Sequence, residues 1–273
     1  MSRYDLIAFD MDGTLLDSAK QVRPDSLTAI AEAVRRGKTV ALSTGRSLPE
    51  LEALLQVLTD VRYVVAISGG LVYDAHTHEI LHTSPLPHET VLALLDRLQG
   101  EDVMLHLHSL QSYVDREKQT RMADYSMAVY QTLFDTATVR VADVPACYRE
   151  KQFPVYKFNI YCRSTAQRAV LEQRLSDLPL NMVHSEIASL ECSAPGISKA
   201  EGLRQLCGHL GTTLAHCIAV GDSDNDRAML EAAGLSIAMG NSVNSIRSLC
   251  DVVVRDNDHG GCAQAIYEYL LRE

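Results

Sequence analysis

The 273-residue sequence has no hydrophobic run long enough to cross a bilayer, because its longest apolar stretches, such as residues 64–67, have the length of a strand. Near the amino terminus, the apolar run before Asp10 has four residues, fewer than the core of a secretory signal peptide. We therefore expect a cytoplasmic protein that does not contact a membrane.

Paired cysteines are also lacking, since the seven cysteines are widely spaced and form no Cys-x-x-Cys motif. An odd and scattered set of this kind predicts neither a disulfide framework nor a zinc site. Free cysteine packs as a small hydrophobic side chain, so we expect reduced and mostly buried thiols.

Basic residues are scarce, with 25 Lys and Arg against 35 Asp and Glu and a net charge of −10. Nucleic-acid binding depends on clustered positive charge, so we expect no nucleic-acid partner, although a local pocket for one phosphate fits this composition. The chain is 22% charged and 47% apolar, which is typical of a folded protein of one large domain or two smaller ones.

Short apolar runs alternate with helical patterns at both ends of the chain. The strand-like runs are residues 6–9, 39–43, 61–67, 217–220, 235–239 and 252–254. Helical spacing of apolar residues separates them, and two of these helices begin with a Ser-x-x-Glu capping box, at Ser47 and Ser198. This alternation predicts an α/β fold with a doubly wound, Rossmann-like parallel sheet that has helices on both faces.

The pattern changes between residues 83 and 187. A proline-containing break at residues 82–87 precedes this segment, and alternating runs such as residues 155–162 predict an antiparallel or mixed sheet. We therefore expect a discontinuous core formed by residues 1–82 and 188–273, and an inserted α+β domain at 83–187 that determines substrate specificity.

Two carboxylates, Asp10 and Asp12, follow the first predicted strand directly, in the run DMDGT. Open parallel sheets bind ligands at this edge. There, one carboxylate can attack phosphorus or hold a divalent cation while the second acts as acid and base. An ordinary Asp-Gly turn is the alternative, but an EF-hand is excluded because Leu15 and Gln21 occupy its glycine and glutamate positions.

A second acidic run, GDSDND at residues 221–226, follows another predicted strand and begins a helix. Carboxylates this close raise one another's pKa values unless a cation neutralises them, which favours a hard metal ion such as Mg²⁺. A solvated helix start, where aspartate also suits the helix dipole, is the alternative.

Two further features indicate a binding site for an anion. The first is the connection between the second predicted strand and the next helix, which consists of Ser43, Thr44, Gly45 and Arg46. A helix amino terminus with a nearby hydroxyl group can bind phosphate. Lys199 lies in the first turn of its helix, where a cation opposes the dipole, so compensation of phosphate and carboxylate charge is the expected gain.

Together these runs resemble the haloacid dehalogenase-like superfamily, specifically the Cof-type branch of sugar-phosphate phosphatases with a large inserted cap. The motifs are DMDGT at 10–14, STGR at 43–46, SK at 198–199 and GDSDND at 221–226, and AMGN at 238–241 is also similar. Their order and spacing match the family over the whole chain. Two segments differ from the family pattern. Residues 68–70 read Ser-Gly-Gly where the family usually has Asn-Gly-Ala, and the tail at 258–261 differs from the usual Asp-Gly-Val. These differences affect the expected substrate contacts and local packing.

The resemblance implies a role for each matching residue. Asp10 would be the nucleophile, and Asp12 would protonate the leaving alcohol and then deprotonate the attacking water. Mg²⁺ would be held by the carboxylates of Asp10 and Asp222 and the backbone carbonyl of Asp12, with Asp226 supporting the metal. The phosphoryl oxygens would be held by Thr44, Lys199, Asn225 and the amides near Met11 and Gly45, with Arg46 on the substrate side.

The sequence therefore predicts a Mg²⁺-dependent phosphoric monoester hydrolase that acts on small phosphorylated metabolites, most of all sugar phosphates, and indicates no particular oligomeric state. A phosphomutase with the same nucleophile and a non-catalytic phospholigand-binding module are the alternatives. A mutase would isomerise a sugar phosphate without releasing phosphate, and a binding module would release none from any ester. In the inserted domain, we expect His106 and His108 to lie on an ordinary solvated strand face, and Met122, Met127 and Phe134 to be core residues.

Overall fold

The structure is a computed structural model and describes residues 3–272. The strands within this range are β1 (Leu6–Phe9), β2 (Thr39–Ser43), β3 (Tyr63–Ala66), β4 (Leu71–Asp74), β5 (Glu79–Thr83), β6 (Met104–His108), β7 (Ser112–Asp115), β8 (Thr138–Val141), β9 (Lys157–Tyr161), β10 (Asn181–Val183), β11 (Ser189–Ser193), β12 (Cys217–Gly221), β13 (Leu235–Ala238) and β14 (Val252–Val253). The α-helices are α1 (Pro24–Arg35), α2 (Leu48–Leu55), α3 (His88–Arg97), α4 (Arg116–Gln119), α5 (Gln131–Ala137), α6 (Val144–Lys151), α7 (Thr165–Leu175), α8 (Lys199–His209), α9 (Arg227–Ala232), α10 (Asn244–Arg247) and α11 (Gly261–Ala265).

An eight-stranded sheet forms the centre of the first of two compact units, which comprises the chain up to Gly45, Leu54–His82 and the chain from Ser198. The strand order is β14-β13-β12-β1-β2-β3-β4-β5, and the pairs from β14 to β3 are parallel. All four residues of β1 are fully buried, as expected for a central strand of a parallel sheet.

The position of β1 determines where a ligand can bind in this sheet. β1 lies between β2, which follows it in the chain, and β12, which comes much later. The chain therefore leaves β1 towards one side of the sheet and leaves β12 towards the other. In open α/β sheets, a crevice at the carboxyl ends of the strands marks such a switch point. The residues after β1, β2 and β12 therefore form the expected ligand-binding edge of this unit.

The second unit, Arg46–Ala53 with Thr83–Ile197, contains a six-stranded mixed sheet of order β10-β11-β9-β6-β7-β8. Side chains such as Leu107 and Phe158 on one face pack with apolar side chains of α3, α6 and α7 into a core. A smaller cluster holds Met122, Met127 and Phe134, which are all buried as expected. The α/β core with an inserted α+β domain is thus confirmed.

Two features of the second unit differ from the sequence prediction. Ser189–Ser193 pairs with β9 and β10 in the second sheet, whereas these residues were expected to belong to the core segment 188–273. His106 and His108 are only 1% and 2% exposed, so the expected solvated face was wrong. Alternating polar residues indicate a separate face of a strand, but other elements decide whether that face is covered.

The α-helices of residues 3–272 are short, and most cysteines lie in the interior. None of the helices in residues 3–272 combines the length and hydropathy of a transmembrane span. Six cysteines are buried, Cys250 is half-buried, and all seven thiols are free. The expectation of mostly buried cysteines is therefore confirmed.

Candidate active site

Asp10 is the first residue after β1, and its carboxylate is enclosed by the protein. Its backbone N–H donates to the carbonyl of Val220, which continues the pairing of β1 with β12 beyond the strand. The residue is 4% exposed, and its Oδ1 accepts a hydrogen bond of 2.5 Å from the Lys199 Nζ. The end of the central strand thus holds one carboxylate against one ammonium group.

Lys199 lies in the first turn of α8, and its side chain is 2% exposed. The side chain of Ser198 caps this helix by accepting from the N–H of Glu201, as the capping-box pattern predicts. Gly69 adopts a φ of +99°, and a Cβ at this position would lie 2.0 Å from the carbonyl oxygen of Ser198. Only glycine therefore fits beside the start of α8, which positions the lysine.

Asp226 connects Lys199 to the loop after β12. Its Oδ1 accepts from the Lys199 Nζ at 2.6 Å, and its Oδ2 accepts from the backbone N–H groups of Asp222 and Ser223 at 3.0 and 3.2 Å. The residue is fully buried. Because both carboxylate oxygens already accept hydrogen bonds, Asp226 orients the lysine and the loop.

Asp222 contacts the DMDGT run at its glycine and threonine. Its Oδ1 accepts from the Thr14 hydroxyl at 2.8 Å. A Cβ at Gly13, where φ is +87°, would lie 2.6 Å from its Oδ2. Asn241 of the AMGN run donates to the Gly13 carbonyl at 2.8 Å, so a third segment supports the same turn. Sequence reasoning missed these roles of Thr14 and Asn241, although the AMGN resemblance marked the second.

The three carboxylates Asp10, Asp222 and Asp226 each place an oxygen within 4.8 Å of the others. Burial and the charge of Asp226 raise the pKa of Asp10, while Lys199 opposes this rise. Burial also raises the pKa of Asp222 to about 6. Although burial lowers it, the pKa of Lys199 is raised above its ordinary value by the carboxylates of Asp10 and Asp226.

The carboxylates of this cluster outnumber its ammonium group. Three carboxylates face one ammonium group, which leaves a surplus that a divalent cation would neutralise. The donor set consists of oxygen atoms, which are the ligands that Mg²⁺ prefers. The residues present therefore fit a hard divalent cation.

The Asp12 side chain has a different partner. Its Oδ1 lies 2.8 Å from the Lys20 Nζ, and its side chain is 32% exposed. The structure thus places this carboxylate in a partly solvated ion pair, two residues after the buried Asp10. An exposed ion pair of this kind is weak, so the side chain can exchange partners at small cost.

The remaining sequence-predicted residues lie on the neighbouring strand ends. Thr44 is 2% exposed after β2, and its backbone N–H donates to the Val65 carbonyl. Met11 is fully buried, Gly45 is half-buried, and Asn225 is exposed with its Oδ1 accepting from Ser223. Arg46, by contrast, is the first residue of the segment Arg46–Ala53, which belongs to the second unit.

The sequence matches the family described as haloacid dehalogenase-like hydrolase over residues 7–266. It is 28% identical over 269 residues to the 5-amino-6-(5-phospho-D-ribitylamino)uracil phosphatase YcsE of Bacillus subtilis, covering 97% of this chain and 96% of that protein. It is also 29% identical over 285 residues to the pyridoxal phosphate phosphatase YbhA of Escherichia coli, covering 97% and 98%.

A solved structure has a similar fold over its whole length. The haloacid dehalogenase-like hydrolase from B. subtilis superposes with a TM-score of 0.84 at 25% identity, covering 96% of this chain and 99% of that one. The resemblance found in the sequence is therefore confirmed. The expected enzyme class, a phosphoric monoester hydrolase, agrees with this family and with the names of the two relatives.

Proposed function

Because the chain belongs to the haloacid dehalogenase-like hydrolase family, we propose that it is a Mg²⁺-dependent phosphatase of small phosphorylated metabolites that forms an aspartyl-phosphate. The observation that carries the proposal is the buried Asp10 carboxylate bonded to the buried Lys199 ammonium at the end of β1. The B. subtilis and E. coli relatives, named for a ribitylaminouracil phosphate and pyridoxal phosphate, support small phosphorylated substrates. Sugar phosphates belong to the same class.

The first proposed step is an attack by Asp10 on phosphorus. Lys199 binds Oδ1 and so leaves Oδ2 as the attacking atom. The new bond joins Oδ2 to phosphorus, the bond from phosphorus to the ester oxygen breaks, and Asp12 donates a proton to the leaving alcohol. In the second step, Asp12 takes a proton from water, the water oxygen attacks phosphorus, and the bond to Asp10 breaks to release phosphate.

The proposed Mg²⁺ ligands are the carboxylates of Asp10 and Asp222 and the backbone carbonyl of Asp12. Asp226 would support the site without ligating, since both of its oxygens accept hydrogen bonds from the protein. When bound, the cation neutralises charge on the nucleophile and on the phosphoryl group, which lowers the barrier between two anions.

Several groups at the same sheet edge are proposed to hold the phosphoryl oxygens. Lys199 supplies a fixed positive charge that needs no rearrangement during the reaction. The others are the hydroxyl of Thr44, the backbone amides near Met11 and Gly45, and the side chain of Asn225. Arg46 is proposed to face the substrate, and the inserted domain at 83–187 to select its leaving group.

The test is phosphate release from a panel of sugar phosphates, nucleotides, pyridoxal phosphate and p-nitrophenyl phosphate. Asp10→Asn should lower kcat by at least about 10³-fold, because the amide is a poor nucleophile. Its circular dichroism spectrum should be unchanged. Asp251→Asn is the matched control, since Asp251 lies outside the proposed site and accepts hydrogen bonds from the backbone N–H and the hydroxyl of Ser236 in β13.

The outcome separates the proposal from its rivals. Undiminished phosphate release by Asp10→Asn would refute the mechanism. An isomerised sugar phosphate without free phosphate would instead identify a phosphomutase. Binding of the esters without any turnover by the unmodified protein would identify a binding module.

A further inference from the structure

One buried hydroxyl group of the first unit has no role in the chemistry proposed so far. Ser43, the last residue of β2, is fully buried, and its Oγ has no hydrogen-bond partner among residues 3–272. The other buried side-chain atoms without a partner in that range all belong to the second unit. Nearly all buried polar groups are hydrogen-bonded, and one without a partner destabilises the fold. The hydroxyl therefore indicates a partner that the resting site does not supply.

The strand register places Ser43 beside Asp10. Phe9, the last residue of β1, lies opposite Leu42 of β2 in the parallel pair. Asp10 and Ser43 follow these two residues directly, so they are neighbours on adjacent strands. Adjacent strands of a sheet lie about 4.8 Å apart, which is within the reach of short side chains that share a face.

The side chains of Asp10 and Ser43 both point to the sheet face that α8 covers. Side chains alternate along a strand, so Ser43 shares its face with Ala41. Ala41 packs in one apolar cluster with Leu203 of α8. Asp10 points to the same face, because its carboxylate accepts from the Lys199 Nζ in the first turn of α8.

The first turn of α8 also lies against the strand on the other side of Ser43. In the register, Ser43 is opposite Val65 of β3. A Cβ at Gly202 of α8 would lie 2.5 Å from the Cγ1 of Val65, so helix and strand are in close contact there. Ser43 is thus on the middle of three strands that all meet the start of α8. Its hydroxyl is enclosed beside the pair of Asp10 and Lys199.

The hydrogen bonds of the resting site do not include this hydroxyl. The Lys199 Nζ donates to the Oδ1 of Asp10 at 2.5 Å and to the Oδ1 of Asp226 at 2.6 Å. Each oxygen of an ionised carboxylate can accept two hydrogen bonds, so the Asp10 Oδ1 can accept a second donor beside the lysine. The Ser43 hydroxyl is the donor on the neighbouring strand.

We infer that Ser43 is a positioning residue whose hydroxyl donates a hydrogen bond to the Oδ1 of Asp10 while the aspartyl-phosphate is hydrolysed. The inference rests on the proposed phosphatase function and adds a residue to its second step. A change of the serine χ1 angle between staggered rotamers is the movement required. Serine keeps its proton throughout, and the proton of the attacking water still passes to Asp12.

The charge on the Asp10 carboxylate explains why the second step would depend on this donor. In the first step, the carboxylate gives up its charge to form the bond from Oδ2 to phosphorus. In the second step, that bond breaks and its electron pair returns to the carboxylate. A fixed donor contributes most where charge develops in the transition state. Loss of the donor should therefore slow the hydrolysis of the aspartyl-phosphate but not its formation.

Two other roles fit the Ser43 hydroxyl less well. A structural hydrogen bond would have a partner in the protein, and none exists among residues 3–272. An internal water molecule would need two to four polar partners, whereas the neighbour of Ser43 on β3 is the apolar Val65. A donor for the neighbouring Asp10 carboxylate is the role that the position favours.

The test measures the two chemical steps separately in Ser43→Ala. In quenched flow, the enzyme is mixed with ³²P-labelled p-nitrophenyl phosphate and Mg²⁺, and the burst of p-nitrophenol gives the rate of aspartyl-phosphate formation. An excess of unlabelled substrate is then added, and the loss of acid-stable label from the protein gives the rate of hydrolysis. We expect hydrolysis to slow at least about tenfold, because a hydrogen bond to a charged group is lost. Formation should change by less than about twofold.

Steady-state kinetics provide a second readout of the same difference. Where hydrolysis limits turnover, kcat and KM of Ser43→Ala should fall by the same factor, so kcat/KM should equal that of the unmodified enzyme. The labelled fraction of the enzyme during turnover should rise. A residue that only supports the fold would not change the two steps differently.

Ser43→Thr and Ser236→Ala are the controls. Threonine retains the hydroxyl and suits a strand, so Ser43→Thr should hydrolyse the intermediate faster than Ser43→Ala does. Ser236 is a buried serine on β13 of the same sheet, but its hydroxyl donates to Asp251. Ser236→Ala should melt at a lower temperature and keep the unmodified hydrolysis rate. Ser43→Ala should melt at the same or a higher temperature, because it removes an unsatisfied group.

The outcomes distinguish this inference from the proposed function. Labelled enzyme that decays at the same rate in Ser43→Ala and in the unmodified protein would overturn the inference alone. Equal slowing of both steps, or failure of Ser43→Ala to fold, would show a structural hydroxyl and overturn it as well. If the unmodified protein forms no labelled intermediate, the proposed function is wrong and the inference falls with it.

Discussion

The two sheets of this protein each carry a buried polar cluster, and the clusters differ in how their atoms are satisfied. At the end of β1, Lys199 bonds to Asp10 and Asp226 within 2.6 Å, so the protein itself pairs opposite charges. On β6, His106 and His108 are neutral and lack hydrogen-bond partners among residues 3–272. The first cluster is held in place by its own charge pairs, whereas the second keeps unused donors and acceptors in the interior.

The largest effect is expected where the charge pairing is broken. Lys199→Met leaves two buried carboxylates without their counter-ion. It should lower kcat/KM for p-nitrophenyl phosphate by about 10³-fold. It should also lower the free energy of unfolding by about 3–5 kcal/mol. Adding Asp226→Asn should restore much of the stability but not the activity, as urea unfolding and steady-state kinetics would show. A Lys199→Met enzyme with normal kinetics would contradict the assigned role of the lysine.

Removal of the divalent cation should have the next largest effect. Dialysis against EDTA should abolish phosphate release, and Mg²⁺ should restore it. An ion that binds only the folded state stabilises it, so Mg²⁺ at a hundredfold excess over Kd should add about 2.7 kcal/mol to the free energy of unfolding.

Asp222→Asn sharpens this prediction and should weaken the apparent Mg²⁺ affinity by at least about tenfold. Asp251→Asn should leave the affinity unchanged. Activity and melting temperature that do not respond to chelation would remove Asp222 from the proposed metal site.

The histidine pair should make the second unit sensitive to acid, unlike the paired charges of the first. The pKa of His106 is about 4 in the folded protein and 6.5 in an ordinary environment, so the unfolded chain binds a proton first as the pH falls. Stability is therefore retained above pH 6.5 and lost below it, by about 2 kcal/mol at pH 5 for His106 alone.

A difference measurement isolates this effect from the carboxyl groups. Burial raises the pKa of Asp115 to about 6, which adds stability over the same acidic range. Urea unfolding of the His106→Phe/His108→Phe double variant at pH 7.5 and pH 5 should show a smaller acid loss than the unmodified protein. Equal losses in the two proteins would show that the rings are not held neutral.

The smallest expected effect concerns the hydroxyl that connects α2 to the second sheet. The Ser47 Oγ lies 2.7 Å from the Glu50 carboxylate and 2.8 Å from the Ser112 hydroxyl, and the residue is fully buried. Ser47→Ala should lower the free energy of unfolding by about 1 kcal/mol. The exposed Ser176→Ala should change it by less than about 0.5 kcal/mol. An equal effect of both substitutions would contradict the contribution of this contact.

The same contrast explains what could be predicted from the sequence. Asp10 and Asp222 directly follow apolar strands, and the ends of parallel strands meet at one edge, so local signals sufficed to predict that they converge. The burial of His106 and His108 could not be predicted in this way. Their alternation identifies a polar face, but the residues that cover it, such as Ser47 and Phe134, are distant in the sequence.

The end of the inserted domain, expected at residue 187, is hard to predict from the sequence for a related reason. The segment Ser189–Ser193 alternates polar and apolar residues, a pattern that suits an edge or interior strand of either sheet. Its pairing with β9 is a long-range contact that the local pattern does not encode. Packing partners, rather than local propensity, decide such positions.

Trapping the covalent intermediate tests the central claim most directly. The unmodified enzyme would be mixed with a ³²P-labelled phosphomonoester and Mg²⁺, quenched in acid during turnover and digested for peptide mapping. The account predicts acid-stable, hydroxylamine-labile label on the peptide that contains Asp10, and none in Asp10→Asn. Label on another residue, or turnover by Asp10→Asn at the unmodified rate, would contradict it.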